Sequence, residues 1–133
     1  MPAHTGVFLN VTNIEKAIEF YKSLGFTVAE SNQDDDGKLA YATLELDGAE
    51  IELGSIAAND DDDFQEWVST PLGAGVLVYF YVDDVEKLFK KAQKARVTLE
   101  TPLTDRPYGT LFVTNDPDGY SIMFMTPSDG EEE

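Results

Sequence analysis

The pattern of apolar and polar residues in the first half of the chain predicts a strand, a helix and three more strands. Residues 6–11 suit a strand, and Thr12-Asn-Ile-Glu15 has the form of a capping box at a helix start. A helix over residues 13–24 follows from apolar residues at helical spacing: Ile14, Ala17, Ile18, Tyr21 and Leu24. The remaining strands are predicted at residues 26–30, 39–46 and 50–53, with a hairpin turn at Asp47-Gly48.

The second half of the chain predicts the same order of elements. A strand at residues 76–82 precedes the capping pattern Asp83-Asp-Val-Glu86, and the next helix has an apolar stripe made of Val85, Leu88, Phe89 and Ala92. Strands are predicted near residues 97–100, 111–115 and 120–125, and residues 101–109 are predicted to form a loop. The halves match at a constant offset of 71, for example Asp47-Gly48 with Asp118-Gly119 (118 − 47). We therefore expect two tandem βαβββ units.

The length of the chain, 133 residues, suits one domain, here residues 1–128, built from units at about 5–54 and 76–127. The linker at residues 55–75 is expected to contain a short helix around Phe64, Trp67 and Val68, and residues 129–133 to form a disordered tail. The longest apolar run is too short to cross a bilayer, and the start lacks a signal-peptide pattern. Because there is also no cysteine, the expected location is the cytoplasm.

The charge of the chain is strongly negative, with 26 acidic residues against 9 basic ones and a net charge of −17. Such a surface repels phosphate backbones and anionic lipid headgroups, so we expect neither nucleic acid nor a membrane as a partner. Many of the acidic residues cluster at positions 34–36, 60–63 and 129–133. Two explanations stay open: adaptation to high salt, which screens self-repulsion, and attraction of a cationic ligand.

Two short motifs, together with the duplicated order of elements, resemble a known family. The segment Phe20-Tyr21-x-x-Leu24-Gly25-Phe26 and the turn Asp116-Pro117-Asp118-Gly119 before a strand are similar to those of the vicinal oxygen chelate superfamily, which includes glyoxalase I, bleomycin resistance proteins and extradiol dioxygenases. The resemblance implies an α+β fold in which two tandem βαβββ modules form curved mixed sheets around a cleft. It also implies a homodimer.

Metal ligands in that superfamily come from the first and last strands of each module, and the resemblance places those positions at Gly6, Glu52, Leu77 and Met123. Of these four, only Glu52 is an ordinary ligand for a hard divalent metal. His4 would add a second ligand if the first strand extended that far. Two side-chain ligands are fewer than a catalytic metal site normally holds. We therefore expect no metal cofactor, with a divalent metal as the alternative.

The faces of the strands that point away from the helices form the expected ligand site. Strand alternation places Ile51, Leu53, Ile122 and Phe124 on the helix side. The opposite, ligand-binding side is predicted to carry Phe8, Asn10, Tyr41, Thr43, Glu50, Glu52, Leu77, Tyr79, Tyr81, Phe112, Thr114, Ser121 and Met123, with Tyr108 and Trp67 as lids. The alternative is that these rings only fill a core. As a set, they suit a flat organic molecule whose positive charge Glu50 and Glu52 would attract.

Two functions follow from these residues. The first is a metal-independent protein that binds a small aromatic or cationic molecule, similar to the bleomycin resistance members, and performs no reaction. The second is a glyoxalase-like lyase or isomerase, or a dioxygenase-type metalloenzyme, in which Glu52 is the catalytic group. The residues supply no electrophile to replace a metal, so binding is favoured. A single histidine and no glycine-rich strand-to-helix turn also leave no pattern for a triad or a nucleotide site.

Overall fold

The computed structural model of the chain describes residues 5–58, 72–73 and 75–128. His4, the predicted linker helix with Trp67, and the acidic tail at residues 129–133 lie outside the described residues. Within the described ranges, neither helix is long and apolar enough to cross a membrane. The described residues divide into two compact units: residues 5–22, 26–58 and 72 belong to the first, and residues 23–25, 73 and 75–128 to the second.

The order of elements is the predicted βαβββ arrangement, present once in each unit. The first unit contains β1 (Phe8–Val11), α1 (Ile14–Ser23), β2 (Thr27–Gln33), β3 (Leu39–Leu46), β4 (Ala49–Ser55) and a 3-10 turn (Ile56–Ala58). The second unit contains β5 (Leu77–Tyr81), α2 (Val85–Ala95), β6 (Thr98–Arg106), β7 (Gly109–Asn115) and β8 (Ser121–Pro127).

Each unit forms a four-stranded mixed sheet with the same topology, β1-β4-β3-β2 in the first and β5-β8-β7-β6 in the second. The first and last strands of each unit pair in parallel, and the other neighbours are antiparallel. Register irregularities interrupt the β2–β3 and β6–β7 ladders, and such bulges bend a sheet. The predicted fold class is therefore confirmed.

Both helices begin one residue later than the capping patterns predicted. The side chain of Asn13 accepts a hydrogen bond from the backbone N–H of Lys16 (3.1 Å), and Asp84 accepts one from Lys87 (3.1 Å). The predicted caps, Thr12 and Asp83, precede these residues. Asn13 and Asp84 are themselves related by the offset of 71 (84 − 13), so the cap belongs to the duplicated pattern.

The prediction of a loop at residues 101–109 is wrong. Strand β6 continues through Pro102 to Arg106, and β7 already begins at Gly109. A proline is tolerated here because β6 is the edge strand of its sheet, and the ladder with β7 is irregular between Thr101 and Thr104.

The turns that begin at Asp34 and Asp116 are held by the same type of hydrogen bond. The carboxylate of Asp116 accepts the backbone N–H groups of Asp118 and Tyr120, each at 2.9 Å. Asp34 accepts those of Asp36 and Lys38, also each at 2.9 Å. The acidic run at residues 34–36 is therefore not only a solvated loop, because its first residue holds the turn between β2 and β3.

Candidate functional site

The side of the first sheet that faces away from its buried side chains carries the polar and aromatic residues of β1, β3 and β4. Ile51, Leu53, Ala42 and Leu44 are buried on the other side. Because neighbouring Cα partners point to the same side of a sheet, the register gives the members of this surface. We call it the first open face, and its residues are Phe8, Asn10, Tyr41, Thr43, Glu45, Glu50, Glu52 and Gly54.

The aromatic part of the first open face consists of Phe8 and Tyr41. Their rings stack with centroids 6.3 Å apart and an angle of 28° between the planes. The hydroxyl of Tyr41 shares a hydrogen bond of 2.9 Å with the hydroxyl of Thr43, which fixes the ring from its far end. Phe8 remains 52% exposed, so one large apolar ring lies on the surface rather than in the core.

The acidic part of the same face lies directly beside the rings. Glu52 has Phe8 as its partner on β1 and Thr43 on β3. Two residues along the same two strands from the Thr43–Glu52 pair, Glu45 and Glu50 are directly opposite each other. Glu30 of β2 adds another carboxylate beside Thr43. The register places no Lys, Arg or His on this face among the described residues, so its electrostatic potential favours a cation.

An open cavity of about 460 Å³ adjoins the acidic part. It is lined by Thr5, Gly6, Val7, Gly48, Ala49, Glu50 and Glu52. The backbone N–H of Glu52 donates to the carbonyl of Val7 (2.9 Å), which continues the contact between β1 and β4 past the end of the strand. The two carboxylates therefore border space that a ligand can enter.

The corresponding side of the second sheet, which we call the second open face, is more apolar. It consists of Leu77, Tyr79, Tyr81, Leu111, Val113, Asn115, Ser121, Met123 and Met125. Tyr79 and Tyr81 are 53% and 62% exposed and meet edge to face, with centroids 5.5 Å apart. Leu111, Val113 and Met125 form a buried cluster against which Met123 packs.

The prediction for Phe112 and Thr114 is wrong, because both residues lie on the helix side of the second sheet. Phe112 is 0% exposed and its ring contacts those of Phe89 on α2 and Phe124 on β8. The hydroxyl of Thr114 donates to the carbonyl of Thr98 (2.6 Å). Leu111 and Val113 take the places on the second open face that were assigned to these two residues.

The other predicted site residues divide between the two open faces. Phe8, Asn10, Tyr41, Thr43, Glu50 and Glu52 lie together on the first, and Leu77, Tyr79, Tyr81, Ser121 and Met123 lie together on the second. Tyr108 is exposed in the turn between β6 and β7, where its carbonyl accepts the N–H of Ser128 (3.1 Å). Glu45, next to the predicted Glu50, was missed, although strand alternation from Tyr41 and Thr43 would have found it.

Of the family's four metal positions, Gly6, Leu77 and Met123 carry no ordinary ligand for a divalent metal, and only Glu52 does. Glu52 is flanked by Phe8 and Thr43, and Met123 is flanked by Tyr79 and Val113. A thioether, a phenyl ring and an aliphatic side chain are poor partners for Zn²⁺, Fe²⁺ or Mg²⁺. Over residues 5–58, 72–73 and 75–128, no three His, Cys, Asp or Glu residues come together in an arrangement that would hold a metal ion.

Comparisons with known proteins agree with this fold. Residues 2–124 match the family model described as Glyoxalase/Bleomycin resistance protein/Dioxygenase superfamily. None of the curated protein sequences matches the chain.

Several solved structures are similar to this chain over nearly the whole length of both. TioX from Micromonospora sp. ML1 has a TM-score of 0.72 at 22% identity, covering 95% of this chain and 97% of TioX. TnmS3, an antibiotic binding protein from Streptomyces sp. CB03234, has a TM-score of 0.67 at 22% identity, covering 96% and 99% of the two chains. A glyoxalase/bleomycin resistance protein/dioxygenase family enzyme from Burkholderia phytofirmans PsJN has a TM-score of 0.72 at 21% identity, covering 92% and 96%. Identities of this size show a shared fold and leave the function to be argued from the site.

Proposed function

Because the chain belongs to the glyoxalase/bleomycin resistance protein/dioxygenase superfamily, we propose that it binds a small, positively charged aromatic molecule without a metal and without turnover. The observation that carries the proposal is the position of Glu52, which has the exposed ring of Phe8 as its direct neighbour on the first open face. One protein of similar structure, TnmS3, is an antibiotic binding protein, which agrees with this type of function.

The physical basis is a combination of two attractions. A flat cation placed on the Phe8 and Tyr41 rings gains a cation–π interaction of about 0.5–2 kcal/mol, depending on desolvation. Glu52 and the neighbouring pair Glu45 and Glu50 add charge attraction, and their mutual repulsion is relieved when a cation binds. A neutral aromatic molecule would gain only the contact with the rings.

Binding is favoured over turnover because the described residues place no cationic side chain beside Glu52 on the first open face. A lyase or isomerase with Glu52 as its base needs a group that stabilises the negative charge of the intermediate. The partners of Glu52 across the sheet are Phe8 and Thr43, its diagonal neighbours are Glu45, Tyr41 and Asn10, and Glu50 lies two residues away on the same strand. A row of carboxylates would destabilise an enolate, whereas it stabilises a bound cation.

We also propose that the protein is a homodimer and is located in the cytoplasm. The exposed Leu77, Tyr79 and Tyr81 of the second open face are an apolar surface of the kind that subunit interfaces use. Light scattering after gel filtration measures the mass directly, and a monomer of 14.7 kDa at all concentrations would contradict this part.

The binding proposal is tested with N-methylquinolinium, a flat cation, in equilibrium dialysis. We expect saturable binding with a Kd of about 1 mM or lower, which is unchanged when a chelator has removed all divalent metals. Binding that disappears with the chelator and returns with a metal would show a metal site. The absence of saturable binding would contradict the proposed function.

A further inference from the structure

The ring of Phe8 occupies the space above the backbone of Gly54, where any other residue would have a side chain. A Cβ atom built on Gly54 would collide with Cζ of Phe8 and lie 2.7 Å from its Cε1. Carbon atoms do not approach so closely, so the ring can rest there only because residue 54 has no side chain. Gly54 lies between Asn10 and Tyr41 in the sheet, on the strand that separates Phe8 from Tyr41.

The second unit shows what happens when this position carries a side chain. At the offset of 71, Gly54 corresponds to Met125 (125 − 54) and Phe8 corresponds to Tyr79 (79 − 8). Met125 fills the surface of the second sheet together with Leu111 and Val113. Tyr79 is not stacked on a ring of the neighbouring strands and instead meets Tyr81 of its own strand edge to face. Equivalent aromatic residues therefore take different positions in the two units: Phe8 lies over the neighbouring strand, whereas Tyr79 contacts its own strand.

We propose that Gly54 is a positioning residue for the ligand, and that its missing side chain makes the first open face the one that binds an aromatic cation. With Gly54 in place, Phe8 lies against the sheet in contact with Tyr41 and beside Glu52, so one flat ligand can touch both rings and the carboxylate. A side chain at residue 54 lifts the Phe8 ring away from this arrangement. This inference rests on the proposed function.

The backbone conformation does not account for the glycine. Gly54 is the next-to-last residue of β4, is paired with a neighbouring strand on both sides, and is not among the residues with a positive φ. Glycine weakens a strand interior relative to other residues, because it loses more conformational freedom and packs no side chain. Because the φ angle of Gly54 is not positive, alanine is compatible with the backbone at this position. The collision involves only the end of an exposed, movable ring, so the fold survives the substitution and the ring moves.

The experiment compares Gly54→Ala and Gly54→Met with the wild type, using N-methylquinolinium in equilibrium dialysis. We expect Gly54→Ala to weaken binding about fivefold or more, through loss of one cation–π contact. The midpoint of thermal unfolding should stay the same or rise. Gly54→Met, which copies the second unit, should weaken binding at least as much. A merely structural glycine would instead lower the unfolding midpoint and change binding only in proportion to the unfolded fraction.

The control is a double-mutant cycle with Phe8→Ala. Once the ring is absent, Gly54→Ala has nothing to displace, so its further effect on binding should be less than about twofold. An independent readout is the NMR shift of the Gly54 α protons, which the overlying ring moves upfield in the wild type and Phe8→Ala returns to ordinary values.

The outcomes separate this inference from the proposed function. A wild type that does not bind N-methylquinolinium contradicts the proposed function, while the proton shift still reports whether the ring lies on Gly54. Ordinary α-proton shifts in the wild type overturn the inference. Wild-type binding that Gly54→Ala leaves within about twofold also overturns it, with the proposed function intact. A fivefold loss in both the wild-type and the Phe8→Ala background contradicts a role that acts through Phe8.

Discussion

Phe8 and Tyr41 stack on each other although their strands are not neighbours in the sheet. Strand β4 runs between β1 and β3, and the Phe8 ring lies over Gly54 of β4, the residue paired with Tyr41. The centroid separation of 6.3 Å lies within the range of favourable aromatic pairs. The pair is thus a preformed platform on the first open face, with Glu52 at its side.

The two phenylalanines at residues 8 and 112 should differ strongly in their effect on stability. Phe112→Ala removes a fully buried ring from contact with Phe89 and Phe124, and we expect a loss of about 3–5 kcal/mol in the free energy of unfolding. Phe8→Ala should cost less than about 1.5 kcal/mol, because half of the ring is already exposed. Urea unfolding measures both. Similar losses for the two variants would show that the assigned faces are wrong.

The facing carboxylates of Glu45 and Glu50 should destabilise the protein in the absence of a ligand. Glu50→Gln removes the repulsion within this cross-strand pair, and we expect a gain of about 0.2–1 kcal/mol in the free energy of unfolding. Glu86→Gln is the matched control, because it removes the same charge from the first turn of α2, where a negative charge is favourable. If both variants stabilise equally, only the net charge matters.

Salt should stabilise the whole chain. With a net charge of −17, self-repulsion opposes the folded state at low ionic strength, and salt screens it over about 10 Å at 0.1 M and about 3 Å at 1 M. We expect the thermal unfolding midpoint to rise from low to molar KCl. The gain from Glu50→Gln should shrink over the same range. A midpoint that stays flat or falls would argue against the charge as a cost to stability.

The turns held by Asp34 and Asp116 should contribute unequally to the free energy of unfolding. Asp116 is 4% exposed, so Asp116→Ala leaves the backbone N–H groups of Asp118 and Tyr120 without their carboxylate acceptor, at a cost of about 1–3 kcal/mol. Asp34→Ala breaks the same two hydrogen bonds in an exposed turn, where water replaces them, and should cost about 0.5–1.5 kcal/mol. Chemical unfolding of both variants checks the order, and a larger cost at Asp34 would contradict it.

The sequence predicted the helices, the duplicated topology and the Asp47-Gly48 hairpin because these depend on local patterns. Asp47 and Gly48 both have positive φ, as the tight turn between β3 and β4 requires. The extent of β6 was missed because Pro102 is a strong sign of a loop unless its strand is known to lie at the edge of a sheet.

The face of Phe112 was missed because the two modules have hairpins of different length. The turn between β3 and β4 leaves two residues unpaired, 47 and 48, whereas the turn between β7 and β8 leaves five, 116–120. The change from an even to an odd number moves β7 by one residue against β8, which exchanges its two faces. A constant offset of 71 equates Tyr41 with Phe112, but Leu111 takes the place of Tyr41 in the sheet, opposite Met125.

The central claim, that the carboxylate of Glu52 and the adjacent rings bind an aromatic cation, is tested most directly with Glu52→Gln. The variant keeps the shape of the side chain and removes its charge. Equilibrium dialysis compares N-methylquinolinium with its neutral isostere, methylnaphthalene. We expect the affinity for the cation to fall about fivefold or more while that for the neutral molecule changes less than twofold, because only the charge attraction is lost. Equal losses for both molecules, or no loss for the cation, would contradict the claim.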